Sequence, residues 1–340
     1  MGINEPAMRE VRLSRSDGTI TRLQGLFSKN GWERSREELE WQFLNNPLSE
    51  TWINAAESSD SLAAIYAALP NRFQLFEQES VCLQSLDTLT DEAFRGQGLF
   101  VKLASSLFGE AKSQELGFIY GFPNGNSRHG FFKKLDWKNY DPLPFLLRPI
   151  NPSYFLPGML KGLKLPQIKG FQVGARCPSR AELEDIDVEA IWDGFRGTFD
   201  VGLIRDRSYF EWRLAKPHQN YRIFALNDEG FIITNLMEKH GGRIGYVVEM
   251  MTRNGAADVE LAYDLLEFGV RDLVDSGADA VLAWHFQHSP YFLSYLANGF
   301  LPLPERVRPI ELHFGMLPLG AAQAVTRRDW YLSYCDSDTV

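Results

Sequence analysis

The apolar positions change period along the chain, and they do so in the same order twice. WINAAES (52–58) and SLAAIYAALPNRF (61–73) flank a short polar turn and predict a hairpin. SVCLQSLDTLT (80–90) predicts a third strand and ELGFIYGF (115–122) a fourth. Between them LFVKLASSLFGEAKSQ (99–114) carries a helical pattern, so strands three and four form a parallel pair joined by a helical crossover. A helical segment precedes the hairpin.

The pattern then breaks. Residues 141–170, DPLPFLLRPINPSYFLPGMLKGLKLPQIKG, are rich in Pro and Gly, and that spacing predicts no regular element. The stretch reads as a connector with its apolar residues along a seam. The rival reading, a membrane-surface helix, needs an unbroken amphipathic stretch, and the prolines argue against it.

After the connector the layout recurs. ELEWQFLNNP (38–47) is echoed by YFEWRLAKP (209–217), which aligns Trp41 with Trp212 and Pro47 with Pro217. SLDTLT (85–90) is echoed by VVEMMT (247–252), which aligns Asp87 with Glu249 and Thr90 with Thr252. The helix at 99–117 aligns with VELAYDLLEFGVRDLVDSG (259–277), so Gly117 falls on Gly277. GFPNGNSRHGFFKKLDW (121–137) aligns loosely with WHFQHSPYFLSYLANGF (284–300). The expectation is an α/β chain of two duplicated domains, at 1–145 and 179–340, with a connector at 146–178.

Composition narrows the class. The chain has 340 residues, 44% of them hydrophobic, which suffices for two cores. The net charge of -9 and the lack of a long Lys/Arg run argue against general nucleic-acid binding. Cys82, Cys177 and Cys335 form no CxxC pair or metal-ligand spacing, so reduced thiols and a cytoplasmic setting are expected. MGINEPAMREVRL has no apolar signal core, Pro6 breaks a myristoylation motif, and no run approaches the roughly 20 apolar residues of a membrane span.

The candidate chemistry lies between the third strand and its helix, in FRGQGLF (94–100). A helix N-terminus presents unpaired N–H groups and partial positive charge. Gly96 and Gly98 let an anion approach the backbone, Arg95 adds charge, and Lys102 lies one turn into the helix. A Walker loop, GxxxxGK[ST], is absent, and Val101 stands where a dinucleotide loop has its third glycine.

The longer string FRGQGLFVKLA resembles the central motif of the GNAT (Gcn5-related) N-acyltransferases, R/Q-x-x-G-x-G/A at a strand–helix junction. GFPNGNSRHGFFKKLDW resembles that family's next segment. The resemblance covers 80–140 well, the rest of the first half in outline, and the second half in degraded form. It implies two tandem GNAT-like domains, each a mixed central sheet flanked by helices. It implies acyl-CoA as co-substrate, with the backbone of Arg95, Gly96, Gln97, Gly98, Leu99 and Phe100 on the pyrophosphate. Lys102 would reach an outlying phosphate, the strand at Leu89 and Thr90 would pair with pantetheine amides, and Asn126 would bond the pantetheine arm. The two parallel strands would splay around the thioester, and no metal is implied.

In the second copy Arg95 becomes Gly255, Gly96 becomes Ala256, Gln97 becomes Ala257 and Gly98 becomes Asp258. A carboxylate at the closing position repels pyrophosphate, so one CoA site is expected, in the first half. The family's usual acid is a tyrosine, and this chain has Phe132 there. Asp87 is a candidate base or ammonium holder, or else an acid at a strand edge. His129 is a candidate for proton transfer, or else a surface histidine. His285 and His288 form an HxxH that lacks a third metal ligand.

Trp…Pro segments in both halves and FPN-x-NS after the helix resemble tandem acyltransferases of bacterial surface-polysaccharide synthesis. That resemblance implies transfer of an acetyl or 3-hydroxyacyl group to the amine of a nucleotide-linked amino sugar. Glu249, His285 and Tyr209 are candidate substrate contacts, His285 lining or flanking the second cleft or else capping a strand end. Arg205, Arg207 and Arg213 are further suppliers, or else an ordinary charged face. Two other classes stay open: an acyltransferase for peptide, protein or small amines, and a non-catalytic acyl-CoA-binding protein.

Overall fold

The computed structural model describes residues 8–58, 61–156, 165–167, 176–308 and 310–340. In chain order they form β1 (Arg9–Arg12), α1 (Asp17–Lys29), α2 (Arg36–Phe43), β2 (Trp52–Ser58), β3 (Ser61–Leu75), β4 (Gln78–Thr90), α3 (Leu99–Ser113), β5 (Phe118–Gly121), α4 (Gly125–His129), β6 (Lys138–Asn139) and β7 (Phe145–Pro149). There follow β8 (Ser179–Ala181), α5 (Val188–Phe195), β9 (Val201–Leu203), α6 (Arg207–Leu214), β10 (Arg222–Leu226), β11 (Gly230–Lys239), β12 (Gly242–Thr252), α7 (Val259–Asp275), β13 (Ala280–Trp284), α8 (Phe292–Ala297), β14 (Leu301–Pro302) and β15 (Gly315–Pro318).

The chain divides into two compact units. Unit 1 comprises Met1–Asp141, Ala215–Pro217 and Leu312–Thr326, and unit 2 comprises Pro142–Leu214, His218–Glu311 and Arg327–Val340. Unit 1 carries a sheet in the order β1-β2-β3-β4-β5-β15-β6. Unit 2 carries one in the order β8-β10-β11-β12-β13-β7-β14. The two orders correspond strand for strand. Each sheet has one parallel pair, β4 with β5 and β12 with β13, and every other pairing along these paths is antiparallel. This is a tandem mixed α/β fold, as the duplicated pattern predicts.

Two sequence expectations need correction. The Pro/Gly spacing of 141–170 predicts no regular element, but Phe145–Pro149 is a strand paired with β13 and β14. Its proline closes the strand, where a missing N–H costs no ladder bond. β7 follows β6 in the chain and lies in unit 2's sheet, while β15 follows β14 and lies in unit 1's. The units therefore do not follow linear boundaries at 145 and 178. Residues 157–164 and 168–175 of the expected connector lie outside the described residues.

The second correction concerns the helix alignment. α3 and α7 start in register, with Gly98 and Asp258 as N-caps, but α7 is 17 residues long and α3 is 15. Glu115 (φ +57) therefore occupies the left-handed exit position of Gly277 (φ +86), and Gly117 is not its equivalent. The exit bonds agree, with Leu116 N–H donating to Ala111 O and Ala278 N–H to Leu273 O.

α3 buries Leu99, Leu103, Ala104, Leu107, Phe108 and Ala111, a stripe at helical spacing that packs against the sheet with Trp52, Ala64 and Tyr66. Each buried leucine contributes on the order of 1.5–3 kcal/mol. This packing holds the N-terminus of α3 at the end of β4.

Candidate functional site

β4 and β5 pair through Leu83–Ile119, Gln84–Tyr120 and Ser85–Gly121, and then part. β4 runs on beside β3 to Thr90, whereas β5 stops at Gly121. A Cβ on Gly121 would lie 3.0 Å from the Ser85 carbonyl oxygen, so a glycine is needed where the strands fork. Tyr66 and Ser85 share a buried hydroxyl hydrogen bond of 2.7 Å at this level. Beyond the fork, among the described residues, 86–90 pairs with no strand on the side away from β3. Leu89 and Thr90 are half-buried there. An edge of this kind offers backbone groups to an amide-bearing ligand.

A β-bulge sets the end of β4. Ile65 faces Leu89 and Ala67 faces Leu86, so Tyr66 spans both Asp87 and Thr88. Asp87 takes φ +44, a region that short acidic side chains tolerate. Its Oδ1 accepts from Arg34 Nη1 at 2.7 Å and its Oδ2 from Gln42 Nε2 at 2.5 Å. The two carboxylate oxygens thus tie the segment before α2 and the last turn of α2 to the bulge, and this does not favour Asp87 as a base.

The glycine loop follows. Asp91 is buried and accepts from the Ala93 N–H at 2.9 Å, closing the turn after β4. Arg95 is exposed, 3.1 Å from Glu92. Gly96 and Gly98 have φ +83 and +73, and a Cβ on either would meet nothing within 4 Å. Gly98 caps α3 without a side-chain hydrogen bond, so the first-turn amides have no capping side chain. Gln97 is exposed, and Lys102 is exposed one turn on, 3.9 Å from Glu10. Leu99 and Phe100 point their side chains inward. Phe100 stands 5.9 Å from Tyr66 and 5.3 Å from Phe131, and a Cβ on Gly130 would come within 2.6 Å of its ring.

After the fork, Asn124 caps α4 by accepting from the amides of Asn126 and Ser127. Asn126 itself is exposed on the first turn. His129 is exposed at the end of α4, directly before a π-helical turn at Gly130–Lys134 that carries Phe131 and Phe132. No sequence pattern marks His313. It lies just before β15, its N–H donates to Pro123 O at 2.9 Å, and its Nδ1 is 2.7 Å from Asp141 Oδ2. No motif joins His313 to Asp141, which are 172 residues apart in the chain.

Unit 2 repeats the fork and closes it. β12 and β13 pair only through Tyr246–Leu282, and a bulge again sits near the end, between Ile233 and Thr234. The loop at 253–257 is covered: a Cβ on Gly194 would lie 1.6 Å from Arg253 O, and one on Gly255 would lie 2.3 Å from Thr198 Cγ2. Asp258 Oδ1 accepts from Leu261 N–H at 3.1 Å, so the chain's own carboxylate caps α7. Arg176 lies 3.5 Å from Asp258.

The chain's own segment 331–336 packs into the parted strands. Tyr334 stacks on Trp284 at 4.4 Å and meets Tyr246 edge-on at 5.2 Å. Glu249 accepts from Arg205 Nε, from Tyr331 at 2.6 Å and from Ser333 at 2.7 Å. Arg205 also donates to Asp336 at 2.6 Å.

The predicted substrate contacts are therefore interior residues of unit 2. Glu249 serves this network, and Tyr209 donates to Cys335 O at 2.6 Å. His285 is buried against Tyr295 (4.8 Å) and Tyr291, and among the described residues neither ring nitrogen has a hydrogen-bond partner. Burial, with a smaller effect from His288, pushes the His285 pKa down to about 3. His288 Nε2 bonds Trp330 O at 3.1 Å, so the two histidines have separate surroundings. Arg205 and Arg213 are buried as well.

Residues 20–139 match the acetyltransferase (GNAT) domain. That stretch contains the fork, the glycine loop and α4. No curated protein matches the chain. Among solved structures, an N-myristoyltransferase from Saccharomyces cerevisiae with bound myristoyl-CoA is 12% identical, with a TM-score of 0.62. The similarity covers 94% of this chain and 80% of that one. A GCN5-related N-acetyltransferase from Kribbella flavida is 12% identical over 94% of this chain and 72% of its own, with a TM-score of 0.63. One from Anabaena variabilis is 13% identical over 92% and 72%, with a TM-score of 0.59. At these identities the likeness establishes the fold: the GNAT-like architecture extends over both units. Among the described residues no helix is long and apolar enough to cross a membrane.

Proposed function

We propose that the protein is an acyl-CoA-dependent N-acyltransferase with one CoA site, in unit 1. The observation that carries this reading is the contrast between two equivalent helix starts. At α3 the cap is Gly98, with open space around it and no side-chain acceptor. At α7 the cap is Asp258, which satisfies the first turn itself. Pyrophosphate needs the first arrangement and is repelled by the second.

In this reading the amides of residues 95–100 bind the pyrophosphate, and Arg95 and Lys102 screen its charge. The strand at Leu89 and Thr90 pairs with the pantetheine amides, and Asn126 meets that arm from α4. The thioester lies in the fork beyond Ser85 and Gly121. The GNAT match at 20–139 supports the assignment, as does the likeness to a structure with bound myristoyl-CoA. No step requires a metal, and the free cysteines fit a reducing cytoplasm.

The acceptor class proposed first is a nucleotide-linked amino sugar, on the resemblance of FPNGNS and the Trp…Pro segments. The N-myristoyltransferase likeness over 94% of the chain favours a second reading, a peptide or protein amine. Thiol release from acetyl-CoA or 3-hydroxybutyryl-CoA tests both, with dTDP- and UDP-linked amino sugars in one panel and peptide amines in another. Release that depends on one amino sugar supports the first reading, and release that depends on a peptide amine supports the second. CoA binding without release in either panel leaves a binding protein.

A further inference from the structure

We propose that the connection between α1 and α2 holds the pantetheine edge of β4 in its binding shape, with Arg34 and Asp87 as the positioning pair; this rests on the acyl-CoA reading of unit 1. Beyond the fork, among the described residues, β4 pairs only with β3, through Ala67–Leu86, Ile65–Leu89 and Ala64–Thr90. The bulge at Asp87 and Thr88 interrupts that ladder, so β3 does not by itself fix the direction in which Leu89 and Thr90 present their backbone groups. Asp87 sits in the bulge with φ +44. A residue other than glycine persists in that region where its surroundings over-determine it.

Those surroundings come from residues 29–42, which grip both ends of the edge. At the bulge, Asp87 accepts from Arg34 Nη1 at 2.7 Å and from Gln42 Nε2 at 2.5 Å. Arg34 is itself fixed. Its Nη2 donates to Gln42 Oε1 at 3.0 Å, its Nε lies 3.6 Å from Glu38, and its guanidinium lies 5.7 Å from the centre of the Phe27 ring in α1. Gln42 is buried. At the other end, just before the glycine loop, Lys29 pairs with the buried Asp91. Asn30, the C-cap of α1, accepts from Glu92 N–H at 3.1 Å through its Oδ1. Asp91 N–H donates to Ala63 O at 2.9 Å, which ties the same turn to β3. The stretch between the two grips, 88–90, includes Leu89 and Thr90.

Unit 2 locates the pair relative to its fork. There the equivalent carboxylate, Glu249, accepts from Tyr331 and Ser333 of the segment that packs into the parted strands. The arginine–carboxylate pair thus lies beside the contents of the fork in the copy whose fork is filled. In unit 1 both Asp87 oxygens are engaged by residues of the α1–α2 segment, so its role is to set the edge and not to accept the amine proton. Hydrogen bonds weaken steeply as they bend and lengthen, so amides of the pantetheine arm need Leu89 and Thr90 at strand geometry. An edge held in that geometry before the ligand arrives binds without a cost of ordering.

Isothermal titration with two ligands tests this: acetyl-CoA, and adenosine 3′-phosphate 5′-diphosphate, which carries the pyrophosphate and lacks the pantetheine arm. Asp87→Asn keeps a side chain that tolerates the left-handed region and removes the charge. Asp87→Asn and Arg34→Met should each weaken acetyl-CoA about tenfold and leave the diphosphate within about twofold of wild type. Both act through one contact, so the double variant should also lose about tenfold, and not the roughly hundredfold of independent sites. In wild-type hydrogen exchange, acetyl-CoA should slow the amides of 34–42 together with those of 86–90, and the diphosphate should leave 34–42 unchanged. If the two variants weaken both ligands alike, or weaken neither, the proposal fails and the acyl-CoA reading stands. Losses that multiply in the double variant also overturn it. If the wild type does not bind acetyl-CoA, the reading and the proposal both fall. Where a variant fails to fold, the wild-type exchange decides, and exchange at 34–42 that is unchanged by bound acetyl-CoA overturns the proposal.

Discussion

Arg205 and Glu249 form a fully buried ion pair in unit 2 at the position where Arg34 and Asp87 pair in unit 1. Each arginine stands two residues ahead of its helix, α2 or α6, and each carboxylate sits near the bulge at the end of its strand. The surroundings differ. Arg34 is partly exposed; it pairs with Asp87 at 2.7 Å, lies 3.6 Å from Glu38 and donates to the neutral Gln42. Arg205 also lies between two carboxylates, Glu249 and Asp336, but all three side chains are shut off from solvent. One copy has kept a device that orders the fork, and the other has built it into a core.

Removing one partner from the buried network leaves uncompensated charge. Arg205→Met is expected to cost about 3–5 kcal/mol, since Glu249 and Asp336 both lose their cation. Arg34→Met should cost less, about 1.5–3 kcal/mol, the range for a hydrogen bond to a charged group. Urea unfolding of the two variants gives the comparison. Equal losses would mean that the unit 2 network is not set apart by its burial.

Acid should weaken unit 2 through His285. Its folded pKa of about 3 lies below the ordinary 6.5, so the folded state holds the ring neutral while the unfolded chain protonates it. Stability is therefore full above about pH 6.5 and is lost progressively as pH falls toward about 3. By about pH 4.5 the loss from this group is on the order of 2–3 kcal/mol. His285→Phe removes the two unpaired ring nitrogens and keeps a stacking ring. Unfolding free energies of wild type and variant, taken at neutral pH and at about pH 4.5, should diverge by that amount. An unchanged slope in the variant would place the acid sensitivity elsewhere.

Gly130 tests the packing between the glycine loop and α4. A Cβ there enters the Phe100 ring at 2.6 Å, so Gly130→Ala forces the ring or the π-turn to shift. Overpacking of this kind costs about 1–3 kcal/mol. Acetyl-CoA affinity should fall as well, because Phe100 anchors the start of α3. Gly109→Ala is the control, since it lies on the exposed side of α3 with nothing within 4 Å of its Cβ. If both variants bind acetyl-CoA equally, the Phe100 contact does not position the loop.

Much of this architecture was legible in the residues. The switch from alternating to helical spacing located β4, α3 and β5, and FRGQGLF marked a helix start with no side chain to cap it. Asp258 at the equivalent point already argued against a second anion site, and the structure shows its carboxylate on the first turn of α7. The placement of β7 and β15 was not legible. FLLRP and GMLP are short apolar runs, and the sheet each joins is decided by packing with strands far away in sequence. The dyad of His313 and Asp141 depends on that placement, so no local motif announces it. The burial of Glu249, Tyr209 and His285 was hidden for the same reason, because the segment 331–336 that packs against them follows the last echoed stretch, 284–300, and has no sequence counterpart in the first copy.

Gly98→Asp transplants the unit 2 cap into unit 1. The aspartate would satisfy the first turn of α3 and set a negative charge where pyrophosphate is expected. Isothermal titration with CoA should show a loss of roughly 100-fold or more, about 2.7 kcal/mol. Gly98→Asn controls for the left-handed backbone at φ +73, since asparagine tolerates that region and carries no charge. If aspartate and asparagine weaken binding alike, strain and not charge explains the effect.

Whether a single one of the two equivalent helix starts binds CoA is decided by native mass spectrometry of the intact chain with CoA. One CoA per chain is expected, none in Gly98→Asp, and one in Asp258→Gly, where Thr198 still crowds the loop. Two CoA per chain in the wild type, or one retained by Gly98→Asp, would contradict the single site in unit 1.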